Sequence, residues 1–287
     1  MVTEIRVNED KLEFEDDELE DFRTLKQLAE VSLTGTETLT NKILTSPIIN
    51  TPTVASPLFT GTIDGWIAAG ETWIYASADA PTYTITVPTD ATTKYSAGMR
   101  IKLKHNGSVK YFIITKVAAT VLTLYGGTDY TLADTAITLP YYSVVKAPLG
   151  FPLSPNKWTV KTSDTTSRSQ ATPTQNTWYN LGAVGLVTPI GSWRVYYGVV
   201  TAIDTAAKII QVTLSTANNS ESDSLNTSGM EAQIIGERDY LSKELVMDLT
   251  SKTTLYLNTR TPSASSATIY NINTICALVI RAVCAFL

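Results

Sequence analysis

The chain has 287 residues, with 27 acidic and 22 basic side chains, one histidine and two cysteines. That length accommodates two ordinary domains and an extension. Eleven acidic and four basic residues fall within the first thirty, leaving sixteen against eighteen beyond, so no concentrated basic face exists to make nucleic acid an expected partner.

Forty-five threonines and a charged fraction of only 17% favour strands over helices. The N-terminus is acidic where a secretory signal needs a basic region followed by an apolar one, so no signal peptide is expected. The longest apolar run, residues 275–287, is interrupted by Arg281 and is too short to span a bilayer, so no membrane insertion is expected. Cys276 and Cys284 lie in that run. If it is a strand, the eight-residue spacing separates them by about 26 Å. Two unpaired thiols suit assembly in a reducing cytoplasm.

Residues 1–15 alternate loosely through Ile5, Val7, Leu12 and Phe14, a pattern for a strand that adds to a partner. From Asp16 the spacing changes to Leu19, Phe22, Leu25, Leu28 and Val31, which predicts a short helix ending near Gly35. The acidic residues 16–20 favour its N-terminus through the helix dipole. About four turns are not stable alone, so residues 1–33 are expected to dock on a partner.

Residues 34–61 read as an extended stalk. Pro47, Pro52 and Pro57 recur every five residues. Each removes a backbone donor and pushes the preceding residue to extended geometry. The segment also carries Ile43, Ile48, Ile49, Val54, Leu58 and Phe59, too much apolar surface for one solvated strand. Copies of the same chain around an axis would cover it, and these six are the candidate contacts of a homotrimer.

The wording GTETLTNKILTSPIINTP at 35–52 resembles a segment recurring in virion proteins of tailed bacteriophages, notably tail fibres and head fibres. GWIAAGETWIY at 65–75, YFIITKV at 111–117 and YGGTDYTLADTAI at 125–137 resemble a small β module that often follows it. The resemblance covers roughly residues 34–155. It implies a virion surface appendage assembled in the cytoplasm of a bacterial host, docked through residues 1–33 to a capsid, neck or tail protein.

Residues 62–150 read as a small, barrel-like antiparallel module. TYTITV at 82–87 alternates. MRIKLK at 99–104 places Arg100, Lys102 and Lys104 on one face, expected to be solvated, and Ile101 and Leu103 on the other. Asn106-Gly107 is a strong hairpin signal, and 109–117 and 120–125 are the following strands. A boundary is expected at 146–157, KAPLGFPLSPNK, where prolines break the periodicity. Residues 151–287 then offer about eight strands without helices, which predicts a β-sandwich of jelly-roll type. The last strand, at 275–287, is apolar on both faces. Such strands are central or covered twice, so its second face is expected to meet a threefold neighbour. That arrangement resembles the trimeric jelly rolls of the C1q/tumour-necrosis-factor type at the ends of phage fibres.

Chemistry is sparse. The single histidine, His105, sits beside the Asn-Gly turn, where exposure is expected, and no nucleophile elbow, P-loop or dinucleotide glycine pattern occurs. One histidine and two cysteines on one strand do not assemble a zinc site. Glu221 and Asp223 in the 218–224 loop read as solvated acids rather than a calcium site. Paired carboxylates suited to glycoside hydrolysis are sought among Glu237, Asp239, Glu244, Asp248, Asp164 and Asp204, but nothing marks them off from surface acids. Trp193, Tyr196 and Tyr197 lie in an apolar strand and are expected in the core. Trp178 and Tyr179 follow a polar stretch and are the candidate glycan contacts. The expectation is therefore a mainly β, homotrimeric fibre or spike, not an enzyme, with no cofactor or metal. Its alternatives are a receptor-binding lectin recognising host-surface polysaccharide and a polysaccharide-degrading spike.

Overall fold

The computed structural model describes residues 5–8, 11–14 and 64–287 apart from 264–266. The predicted helix and the stalk contacts Ile43, Ile48, Ile49, Val54, Leu58 and Phe59 lie outside the described residues. The chain divides into two compact units, residues 1–60 and 61–287. In the first, β1 (Ile5–Asn8) and β2 (Lys11–Phe14) pair antiparallel with each other, Ile5 opposite Phe14 and Val7 opposite Leu12.

The second unit is built from strands; its described residues contain only short 3-10 turns and no α-helix. Its first part is a seven-stranded antiparallel sheet: β3 (Ile67–Ala68), β4 (Ile74–Asp79), β5 (Thr82–Thr86), β6 (Arg100–His105), β7 (Ser108–Ala118), β8 (Val121–Tyr125) and β9 (Ile137–Ser143), in the order β3-β9-β6-β7-β8-β5-β4. The β6–β7 hairpin turns at Asn106-Gly107, with φ of 49° and 78°. Only glycine and a few residues such as asparagine adopt such values readily, hence the dipeptide. Trp73, Ile85, Ile101, Phe112, Ile114 and Leu124 fill the core of this sheet.

The second part is a sandwich. Its strands are β10 (Thr159–Asp164), β11 (Arg168–Ala171), β12 (Gly185–Thr188), β13 (Gly191–Ile203), β14 (Lys208–Ser215), β15 (Thr227–Ala232), β16 (Arg238–Leu249), β17 (Thr253–Arg260), β18 (Thr268–Asn271) and β19 (Leu278–Cys284). One sheet runs β10-β19-β13-β18-β11, with β16 along the other edge of β13; the other runs β12-β17-β14-β15. Val195, Tyr197, Ile280 and Ala282 of the first face Leu186, Val212, Leu214 and Leu257 of the second across one core. The period-two alternation of β13 and β19 directs alternate side chains into that core.

The two parts share apolar residues. In β7, residues 112–115 are all buried, so both faces of the strand are covered. Phe112 and Ile114 enter the core of the seven-stranded sheet, while Ile113, with Tyr125 of β8, enters the sandwich core. Tyr125 meets Trp193 edge-on at 5.1 Å between ring centroids, and Phe151 stacks on Trp158 at 5.1 Å and 3°. The proline-rich segment 146–157 is thus packed, with Phe151 buried. The tryptophan N–H groups donate to carbonyls of Pro152 (Trp158, 2.6 Å) and Pro189 (Trp193, 2.8 Å), as buried indoles require.

Arg100 overturns the expected solvated row. It is 1% exposed, and its guanidinium donates to the carbonyls of Lys146 (3.0 Å), Gly98 (2.7 Å) and Phe286 (2.7 Å). It therefore ties the seven-stranded sheet to the chain segment beyond β19. Lys102 is half-buried and Lys104 exposed. Burial holds the Arg100 guanidinium below its ordinary pKa. Cys284 is buried and Cys276 exposed, outside the last strand, and both thiols are free.

Candidate functional site

His105 is not exposed as expected: it is 1% exposed. Its Nε2 lies 2.8 Å from the Thr135 hydroxyl and 3.2 Å from the Ala133 carbonyl, and its Nδ1 finds no partner. The reason is alternation. Ile101, Leu103 and His105 share the inward face of β6, and the loop at 133–135 folds over the ring. It is a packed side chain whose Nε2 contacts, the Thr135 hydroxyl and the backbone at Ala133, fix the loop that covers it.

The carboxylates are occupied locally. Asp164 accepts from Arg168 at 2.9 Å, which holds its carboxyl below the usual range against the opposing effect of burial. Glu237 accepts from the backbone amides of Gln233 and Ile234 in the turn that carries the chain from β15 in one sheet to β16 in the other. Asp204 accepts from the Thr268 amide at 2.6 Å. Glu221 accepts from the Thr227 hydroxyl at 2.6 Å and pairs with Arg260 at 3.9 Å, while Asp223 accepts from the Leu225 amide at 2.8 Å. Asp239 accepts from its neighbour's amide, and Asp248 from the Ser192 hydroxyl across the strand pair. Among the described residues, no three histidine, cysteine or acidic side chains gather as a metal site. None of the described helices is long and apolar enough to cross a membrane.

Trp178 is 6% exposed, with the Arg260 guanidinium 4.3 Å from its ring centroid. Tyr179 is half-buried, bridges to Thr259 through the backbone, and its hydroxyl accepts from the Thr174 amide at 2.9 Å. A sugar reaching the covered Trp178 face would have to displace Arg260.

The outward face of the six-stranded sheet is more open. Trp193 and Tyr197 are fully buried as expected, but Tyr196 points to the opposite side. Cross-strand register sets Lys161 opposite Arg281, Arg281 opposite Tyr196, and Tyr196 opposite Glu244. The next row holds Val283, Arg194 and Val246. Lys161, Arg194, Arg281 and Glu244 are exposed; Tyr240 is 41% exposed and Val246 67%. The Arg281 guanidinium lies 5.5 Å from the Tyr196 ring centroid, and the hydroxyls of Tyr196 and Tyr240 meet at 2.6 Å. They meet over Gly198, where a Cβ would come within 1.9 Å of the Tyr240 hydroxyl and 2.8 Å of the Tyr196 hydroxyl. Burial, then the neighbouring hydroxyl of Tyr196, raises the pKa of Tyr240. The signal for this face lay in the alternation of SWRVYYGVV: with Trp193 and Tyr197 inward, Arg194 and Tyr196 had to point out.

A second polar cluster sits in the seven-stranded sheet. Glu71 accepts from the Tyr95 hydroxyl, from Trp73 Nε1 at 3.1 Å, and pairs with Lys94 at 3.3 Å. Burial pushes the Glu71 carboxyl up, but these three partners outweigh it and hold the pKa below the ordinary value. Every member has a partner, which marks the cluster as a structural anchor.

The fold and its surface thus define a β-sandwich fused to a seven-stranded sheet, with an open sheet face that carries cations, two acids and tyrosines. No protein-family model and no curated protein matches the chain. Solved structures give faint likenesses. A structure of infectious bursal disease virus, Gx strain, matches 76% of this chain and 56% of its own at 10% identity, with a TM-score of 0.31. The insecticidal delta-endotoxin Cry8Ea1 of Bacillus thuringiensis matches 74% and 51% at 9% identity, TM-score 0.24. The isomalto-dextranase of Arthrobacter globiformis T6 complexed with panose matches 74% and 36% at 12% identity, TM-score 0.24. The chain spans about half the length of the first two, and scores this low establish no shared fold.

Proposed function

We propose that this chain is a structural protein of a tailed-phage particle, a homotrimeric fibre or spike. Residues 1–33 dock it to a head, neck or tail protein, residues 34–61 form the stalk, and the β unit projects outward with a jelly-roll-type tip. The observation that carries this reading is in the segment 34–61: the resemblance of residues 35–52 to virion fibre proteins coincides with prolines paced every five residues and more apolar surface than suits one solvated strand. An all-strand projecting body supports the same reading. Attachment then works by avidity, since three identical tips turn weak contacts into lasting ones.

Two measurements test it. Sedimentation of the full chain should give the mass of a trimer, and antibody raised against residues 158–287 should decorate intact particles. A stable monomer that decorates no particle would sink the proposal.

A further inference from the structure

We propose that the outward face of the six-stranded sheet, centred on Tyr196, Tyr240 and Arg281, binds a polysaccharide that carries carboxylates. This names the ligand class for the attachment surface and rests on the fibre reading for where that ligand occurs. Lys161, Arg194 and Arg281 lie on this face together with the exposed acids Glu244 and Asp248, and none of the three cations lies within ion-pairing distance of a carboxylate among the described residues. Lys161 and Arg281 stand directly opposite one another on β10 and β19. Like charges in that position are destabilising, so an anion bridging them is favoured by the fold itself. The unpaired cations gather on the β10, β19 and β13 side of the face, away from Glu244 and Asp248 on β16, and guanidinium groups match carboxylates in a two-pronged geometry.

Charge alone describes any polyanion; the tyrosines narrow it. Tyr240 presents ring surface, Tyr196 lies half-buried beside Arg281, and their hydrogen-bonded hydroxyls sit next to the cations in a position that only a glycine at 198 permits. Aromatic side chains with a polar tip suit partners that are apolar on one side and wet on the other, as a pyranose ring is. A chain of uronic acid sugars supplies both parts, rings for the tyrosines and carboxylates for Arg281, Lys161 and Arg194. Polyol phosphates supply charge without rings, and neutral glycans supply rings without charge.

Affinity electrophoresis of the full chain tests this with three probes in the gel: polygalacturonate, neutral dextran and polyglutamate. Polygalacturonate should retard the protein, dextran should not, and polyglutamate should retard it less. Arg281→Glu should weaken retention by polygalacturonate about tenfold or more, as loss of a charge-assisted contact does; Lys161→Glu gives the same reading from the neighbouring strand. Tyr240→Ala should weaken retention by polygalacturonate and leave that by polyglutamate unchanged. Equal retention by polyglutamate and polygalacturonate, or retention surviving both charge reversals, overturns the proposal. So does a change of sedimenting mass in Arg281→Glu, which would assign the face to a second copy of the chain. Particle decoration without retention removes this inference and leaves the fibre reading; retention without decoration does the reverse.

Discussion

The seven-stranded sheet and the six-stranded sheet of the sandwich are both antiparallel, yet they use their second faces differently. The central strand β7 buries apolar residues on both sides, one side in its own core and the other, through Ile113, in the sandwich. Over residues 191–196 strand β13, with β10, β16 and β19 beside it, buries one side and presents arginines, a lysine, tyrosines and two acids on the other, while residues 197–203 of β13 are buried throughout. The seven-stranded sheet is therefore committed to an intramolecular joint, and the sandwich keeps part of one face open to the surroundings. Trp158 offers the largest test. It stacks on Phe151 and meets Tyr125 of β8, so Trp158→Ala should destabilise by about 3–5 kcal/mol. Denaturant unfolding should remain one transition for residues 61–287. Two separated transitions in the wild type would break the joint as described.

Arg100 and Lys102 sharpen the contrast, because they share a face of β6 two residues apart. Arg100 serves three carbonyls from buried surroundings, and Arg100→Met leaves all three short of a donor, at about 3 kcal/mol. Lys102 pairs with Asp64 at 3.5 Å and lies over Trp66 and Tyr141, partly in solvent. Lys102→Met should cost about 1 kcal/mol or less. Equal effects in thermal melts would show that the end of the sheet near Arg100 is not held as tightly as its hydrogen bonds indicate.

Cys284 reports on the same joint through pH. Burial pushes its thiol up to about 11 from an ordinary 9.0, against the smaller opposing effects of a backbone hydrogen bond and the charge of Arg100. The folded state holds the proton more tightly, so the contribution is complete below pH 9 and is lost as pH rises towards 11. Its size is on the order of 2–3 kcal/mol. Stability curves across that window should fall for the wild type and fall less for Cys284→Ala. At neutral pH a thiol reagent should label the exposed Cys276 at once and Cys284 only on unfolding; equal labelling rates would contradict the packing.

Most of the long strands were legible from sequence: the segments at 82–87 and 99–104 alternate, and those at 109–117, 191–203 and 208–215 are rich in β-branched and aromatic residues. Residues 151–287 hold ten strands where about eight were expected; RSQA of β11 and TSGMEA of β15 have no apolar period, and they exist because β18 and β14 supply the ladder. His105 and Arg100 were misplaced for a shared reason. Residue type suggested solvent, but the strand's phase and what packs on it decide, and a distant loop and the segment beyond β19 are invisible to local pattern. Trp178 was singled out as open because a polar stretch precedes it, yet Arg260, far along the chain, covers its ring. The face that is open was encoded in the same strand that was read as core, one residue out of phase.

The smallest predicted effect is the sharpest for that face. Val246 is 67% exposed at the outer edge of the row containing Arg194 and Val283. Val246→Thr keeps the β-branch and the strand preference, so a free surface predicts a change within about 0.5 kcal/mol. The matching change inward, Val195→Thr, places a hydroxyl in a core with no partner at hand and should cost about 2 kcal/mol. The ratio between the two is what separates a one-sided sheet from a two-sided one. If Val246→Thr approached the effect of Val195→Thr, or lowered the sedimenting mass, then the face would be covered in the assembled protein. The ligand-binding surface would then have to be sought elsewhere on the sandwich. If the two differ as expected, the outward row is surface, and its unpaired cations stand free to take an anionic chain.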